Sequence, residues 1–197
     1  KKDGYQGYVK TADLEPAAPH SHWVSTISSH AYAAPDLKSA DQMSLPFGAQ
    51  VAVKAQSGTF CETAQGFIPH QHLRPIGTFF TDPIQVAMMF LGAPYLWGGN
   101  SVSGIDCSGL VQAACLACGS ECPGDTGPQQ EFFSPLGGAW AKGQVVFWSG
   151  HVALTISADE LIHANAHAMA VTVEGIETTI ERISDAGDGP VVHRGRL

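Results

Sequence analysis

The chain has 197 residues, of which 44% are hydrophobic and only 14% charged. That length supports one or two domains with a substantial core, and the charged fraction lies well below the ~25% of ordinary soluble domains. Lys and Arg number 10 against 18 Asp and Glu, a net charge of −8, which excludes the basic footprint that a nucleic-acid partner requires.

In chain order, residues 1 to about 14 read as a closing strand, through Tyr5, Gly7, Tyr8 and Val9. The chain thus starts as if in mid-domain, which predicts a missing N-terminal portion. Pro16, Pro19, His20 and His22 read as a linker. From Trp23 to Ile76 the pattern is one of short strands, at 24–28, 50–53 and 60–63. Pro35-Asp36, Pro46 with Gly48, and Ser57-Gly58 supply the turns. No helix of ordinary length fits, and the strand count predicts a small barrel of about 55 residues. Gly66-Phe67-Ile68-Pro69 echoes Gly7-Tyr8-Val9-Lys10, which predicts two tandem copies of one barrel, the first truncated.

The texture changes at Asp82. Asp82 reads as a helix N-cap followed by Pro83 in the first turn, predicting a helix over 84–91. Residues 107–118 predict a second, very apolar helix, with Cys107, Leu110, Val111, Ala114, Cys115 and Cys118 on one stripe. Residues 143–156 read as two strands broken at Ser149-Gly150, and 160–164 and 169–173 as two more. Residues 178–183 fit helix or strand, and 191–194 a final strand. Helices followed by strands predict an α+β unit with an antiparallel sheet. Between Pro83 and Ser120 the single charged residue is Asp106. Gly, Pro and Asn interrupt the uncharged stretch 83–105 before it reaches membrane-spanning length, so the scarcity of charge reads as burial.

Asp106-Cys107-Ser108-Gly109-Leu110 is the sharpest local signal. Cys107 follows a Gly-rich approach and opens a helix, where the helix dipole and unpaired N–H groups favour a thiolate and offer a donor to an oxyanion. A buried structural Cys is the blander alternative. His151 opens a strand after Ser149-Gly150, and His163 lies in the next candidate strand. Antiparallel pairing would bring both imidazoles to one face, supplying the base and the orienting group that a nucleophilic thiol needs. His167 reads as a packed or rim residue. His20, His22, His30, His70, His72 and His193 read as surface or structural residues. Cys115, Cys118 and Cys122 have a zinc-like spacing. They continue a helical stripe and lack a fourth ligand, so small buried thiols are the plainer reading, and a Cys118–Cys122 pairing stays open.

These motifs carry a resemblance. Residues 80–197 resemble the NlpC/P60 cysteine peptidases of bacterial cell-wall turnover, in Asp106 to Leu110, in Gly150-His151-Val152 and in Ile162-His163-Ala164, which occur in the family's order. The resemblance implies a papain-like domain with helices packed on an antiparallel sheet. It implies Cys107 as nucleophile, His151 as general base and acid, and His163 as the orienter of His151. Residues 20–77 look like a bacterial SH3-type barrel, and residues 1–15 like the end of another. That organisation is similar to the γ-D-glutamyl-L-diamino acid endopeptidases, which cut murein peptides with a free N-terminal L-Ala. The likeness makes Tyr95, Asp106 and Ser108 substrate-binding residues, with Asp106 receiving the substrate ammonium. It implies a murein-derived peptide as partner and no cofactor or metal. Alternatives are an inactive wall-peptide-binding module, and an amidase or acyltransferase using the same residues. The compartment stays open between cytoplasm and cell envelope, as does the choice between diaminopimelate and lysine after D-Glu.

Overall fold

In the computed structural model, residues 8–13 and 19–197 are described. They fall into two compact units, one ending at Thr78 and one spanning Phe79–Leu197. Most of the expected first-barrel remnant, residues 1–7 and 14–15, lies outside the described residues. Of its described part, Tyr8 to Lys10 form no strand and Thr11–Asp13 is a short 3-10 turn.

The first unit carries eight short strands: β1 (His22–Val24), β2 (Ser28–Tyr32), β3 (Asp41–Pro46), β4 (Gln50–Val51), β5 (Ala55–Ser57), β6 (Phe60–Thr63), β7 (Gly66–Pro69) and β8 (Leu73–Pro75). They do not close into the expected barrel. One open sheet runs β3-β2-β7-β6-β5 and a separate one runs β4-β1-β8. The reason lies at residues 25–27, which were expected to continue a strand. There Ser25 N–H bonds to His72 O, and the Thr26 hydroxyl bonds to Ser28 O at 3.0 Å. The chain leaves one sheet at Val24 and enters the other at Ser28, and β3 and β5 remain unpaired edges. Strand number alone does not fix closure, which also demands a matching stagger. Val24, Ala31, Leu45, Val51, Cys61, Ile68 and Leu73, drawn from both sheets, form this unit's core.

The second unit is α+β. It contains α1 (Pro83–Met89), β9 (Asn100–Ser101), β10 (Gly104–Ile105), α2 (Cys107–Ala117), α3 (Thr126–Phe132), β11 (Gln144–Trp148), β12 (His151–Thr155), β13 (Glu160–Asn165), β14 (Ala170–Gly175), α4 (Ile176–Asp185) and β15 (His193–Arg196). Asp82 caps α1 by accepting the Ile84 N–H at 2.9 Å, with Pro83 in the first turn. The five-stranded sheet is antiparallel throughout, in the order β14-β13-β12-β11-β15. Gly150, at φ 74°, turns the chain between β11 and β12 so that Trp148 pairs with His151. That conformation is open to glycine at little cost. Val146, Trp148, Ala153, Leu161, Ile176 and Ile183 pack as one core cluster, which seats α4 on one sheet face. Helix α2 packs against β12 and β13.

Two helical segments were not settled by the sequence. The segment 178–183, left open between helix and strand, lies in α4. Helix α3 gave no sequence signal, because Gly127 and Pro128 occupy its first turn and a helix so short is not held by propensity. Tertiary bonds hold it instead: the fully buried Gln129 side chain donates to Ser108 O and Pro123 O, both at 2.9 Å.

The start of α2, which carries Cys107, sits close to the Gly-rich approach. A Cβ on Gly109 would stand 2.6 Å from Gly99 O and 3.1 Å from Asp106 Oδ1. Backbone on one side and a capping carboxylate on the other leave no soft neighbour to yield. Gly109→Ala is therefore expected to destabilise the protein by about 1–3 kcal/mol, read as a lowered urea midpoint with unchanged cooperativity. A midpoint equal to that of the parent would show that this approach is looser than described.

Candidate active site

Asp106 precedes α2 in extended conformation and is its N-cap. Oδ1 accepts the Gly109 N–H at 2.7 Å and the Ser108 hydroxyl at 3.1 Å, and Oδ2 accepts the Gly98 N–H at 2.8 Å. These bonds satisfy an orphan donor of the first helical turn and fasten the helix start to the loop after Trp97. Ser108, expected to meet substrate, is buried with its hydroxyl on Asp106.

Cys107 is the first residue of α2 and is 7% exposed. Its sulfur lies 3.8 Å from Thr126 Oγ1, and the backbone N–H groups of Val152 and Ser108 also hydrogen-bond to it. The contact with Val152 brings the thiol to the first turn of β12, beside His151. Burial pushes the thiol above its ordinary range, and the bonds from Thr126, Val152 and Ser108 only partly oppose this. The depressed value expected at a helix N-terminus does not hold in the resting site, because desolvation outweighs the local donors.

His151 and His163 are brought together as expected. Continuing the β12–β13 register, in which Leu154 faces Ile162, sets His163 across from Ala153, two residues from His151 and on the same face. His151 Nε2 is 2.8 Å from His163 Nδ1, with ring centroids 5.0 Å apart. His163 is fully buried, whereas His151 is partly open. Burial, and then the neighbouring His163 and Arg182, push His151 down to about 3 despite the opposing Glu174. It is therefore neutral at physiological pH.

Behind His163 stands a residue that the sequence reading missed. Glu174 Oε1 lies 3.3 Å from His163 Nε2, an ion-pair distance without hydrogen-bond alignment. The other oxygen, Oε2, accepts from Arg182 of α4. The contact with His163, and then the Arg182 guanidinium, hold the Glu174 carboxyl far below the usual carboxylate range against the effect of its burial. One signal was available: in 170–175, Thr172 and Glu174 alternate with Val171 and Val173, which marks a polar face beside the His163 position. Arg182 and Thr126 had no local signal.

Tyr95 is half-buried and pairs in a short bridge with Ile105, directly before Asp106. Burial raises its hydroxyl's pKa, and the charges of Cys107 and Asp106 add to the effect, which places Tyr95 within electrostatic reach of both. Cys115, Cys118 and Cys122 are free thiols. Cys115 and Cys122 are hydrogen-bonded to one another, so the close pair is not the Cys118–Cys122 pair left open above. Among the described residues, no three His, Cys, Asp or Glu side chains are grouped to hold a metal ion. His72 bonds to Ser29 at 2.8 Å and His193 to Phe133 O at 2.9 Å. Among the described residues, no helix is long and apolar enough to cross a membrane.

Helices packed on an antiparallel sheet, with a thiol at a helix start and paired imidazoles on adjacent strands, define the papain-like α+β class. Residues 92–183 match the NlpC/P60 family, and this unit of the chain belongs to that family. Among curated relatives, a γ-D-glutamyl-L-lysine dipeptidyl-peptidase of Bacillus subtilis is 27% identical over 90% of this chain and 66% of its own length. Its namesake from Bacillus cereus is 30% identical over 68% of this chain and 40% of its own. Dipeptidyl-peptidase 6 of Lysinibacillus sphaericus is 33% identical over 50% of this chain and 37% of its own. The chain thus spans two thirds or less of the length of these relatives. A solved NlpC/P60 family protein from Bacillus cereus shares the fold, with a TM-score of 0.73 at 21% identity, over 89% of this chain and 62% of that one.

The neutral state of His151 has a consequence for stability. An unfolded His protonates below about 6.5, whereas His151 in the fold does so only near 3. The unfolded chain binds more protons throughout that window, so this group's contribution to stability falls as the pH drops. Urea midpoints should fall between pH 7 and pH 5, and His151→Gln should flatten the slope. An identical slope in the variant would show that His151 titrates alike in both states.

Proposed function

We propose that this chain is a cysteine endopeptidase that hydrolyses the γ-D-glutamyl-L-diamino acid bond of murein peptides through a thioester on Cys107. The observation that carries this reading is the 2.8 Å contact between His151 and His163, with the N–H of Val152, the residue after His151, meeting the Cys107 sulfur. The names of the Bacillus relatives support the bond assignment.

The resting pair is neutral, with a thiol raised by burial and an imidazole that resists protonation. His151 Nδ1 takes the proton from Cys107 as the sulfur attacks the γ-carbonyl, so charge separates only on the way to the tetrahedral state. The N–H of Cys107, which by position has no intrahelical acceptor, and the Tyr95 hydroxyl face the developing oxyanion. Protonated His151 then gives its proton to the leaving amine of the diamino acid, and the thioester forms. A water molecule, deprotonated by His151, releases the acyl group and restores the thiol.

Asp106 has a second role in this reading. An ionised carboxylate has about four acceptor positions, and Gly109, Ser108 and Gly98 occupy three, leaving one on Oδ2. That position is where the ammonium of an N-terminal L-Ala binds, and the charge makes the contact selective for a free amine.

Two variants test the proposal. Cys107→Ala should fold like the parent and lose cleavage of L-Ala-γ-D-Glu-diamino acid peptides; retained turnover would overturn the thioester mechanism. Asparagine is as good an N-cap as aspartate, so Asp106→Asn should keep the fold while losing the preference for free-amine over N-acetylated peptides. A full preference in that variant would remove Asp106 from ammonium recognition.

A further inference from the structure

We propose that His163 is neutral in the resting site and that Glu174 is a positioning residue that fixes, through it, the tautomer of His151 and so leaves Nδ1 of His151 bare toward Cys107. The catalytic consequence rests on the function proposed above, whereas the tautomer assignment does not.

The argument follows the direction in which each group can donate. Glu174 receives donors from several elements at once. Arg182 and the Thr179 hydroxyl, the latter at 3.2 Å, both come from α4 and meet Oε2. The Thr172 hydroxyl meets Oε1 at 3.1 Å. Thr172 in turn accepts from Asn165 Nδ2 at 2.7 Å, so its own proton is free to point to the carboxylate. A guanidinium cannot accept, and an ionised carboxylate cannot donate. Oε1 also accepts from Asn165 Nδ2 at 3.4 Å. His163 Nε2, 3.3 Å away, is not aligned as a hydrogen bond, but a lone pair held that close to the carboxylate would be repelled, so Nε2 carries the proton.

His163 is fully buried, and a neutral imidazole has one N–H and one lone pair. With its proton on Nε2, it presents the lone pair of Nδ1 to His151 Nε2 across 2.8 Å. His151 must then donate from Nε2, and its lone pair is left on Nδ1. Donation runs from His151 to His163, whose Nε2 proton faces the Glu174 carboxylate that Arg182 holds in place. Without the carboxylate, nothing forces His163 to keep its proton on Nε2. The reverse tautomer would donate from Nδ1 to His151, place the His151 proton on Nδ1, and point an N–H instead of a base at the thiol.

Sequence delivers the arrangement economically. Thr172 pairs directly with His163, and Glu174 pairs with Leu161 on the same face. Helix α4 follows at once from Gly175, and it returns Thr179 and Arg182 to the carboxylate.

The test is a long-range 1H–15N correlation spectrum of the 15N-histidine-labelled chain at pH 7, with His151 and His163 assigned by single substitutions. In the parent protein both rings should show the neutral tautomer protonated at Nε2. In Glu174→Gln, whose amide can donate as well as accept, at least one ring should shift toward protonation at Nδ1. Peptide turnover should then fall about 10²-fold or more in kcat with KM within twofold, and Glu174→Asp should recover most of it. A parent spectrum with the His151 proton on Nδ1 overturns the inference, and needs no variant that folds. Unchanged tautomers in a folded Glu174→Gln overturn it as well. If Cys107→Ala still cleaved peptide while the parent tautomers were as stated, the proposed function would fall and the tautomer assignment would stand.

Discussion

The second unit is organised around the Asp106 carboxylate. It is the single charge between Pro83 and Ser120, and its nearest partners belong to its own chain. By taking the Gly109 and Gly98 N–H groups together with the Ser108 hydroxyl, it ties the first turn of α2 to the glycine-rich approach. Cys107 is the residue after the cap, so the position of its sulfur follows from this anchor. The scarcity of charge around it is only partly the burial expected from the sequence: α2 is mostly buried, whereas Leu91, Leu96 and Trp97 of the same uncharged stretch are exposed.

Against this anchored thiol the sheet sets a polar row. His151, His163 and Glu174 come from three consecutive strands, and Arg182 from the helix that follows. Burial works toward the same end on Cys107 and His151: it raises the thiol and lowers the imidazole. Both effects favour the uncharged pair. At rest the surroundings thus favour a neutral thiol and a neutral imidazole over a thiolate–imidazolium pair. In the proposed reaction, the donors at the helix start act on the charge that develops in the oxyanion.

Much of this was legible in the sequence, and the limits have physical causes. The capped helix starts at Asp82-Pro83 and Asp106-Cys107 were readable because capping is local. The hairpin that sets His151 across from Trp148 was readable through Ser149-Gly150, since turn chemistry is local as well. Sheet closure is not local. The short strand at 60–63 was visible, yet whether residues 24 and 28 share a sheet depends on hydrogen bonds to His72 and within 26–28. Helix α3 escaped for a similar reason, since a buried Gln129 holds it from outside and its own Gly127-Pro128 argues against it. Glu174 escaped because a charged residue on an alternating strand reads as solvent-facing until Arg182 and His163 are known to meet it. The thiol's raised value was misjudged because a helix N-terminus is a sequence-level feature and burial is not.

The central claim is that Cys107 carries the reaction. Its most direct test is graded alkylation with iodoacetamide, following the modified fraction of each cysteine by peptide mass spectrometry alongside hydrolysis of an L-Ala-γ-D-Glu-diamino acid peptide. The account predicts that activity falls in proportion to modification at Cys107 and reaches zero when that residue is fully alkylated, whatever the state of the more accessible Cys118. Full activity with Cys107 completely alkylated would contradict it.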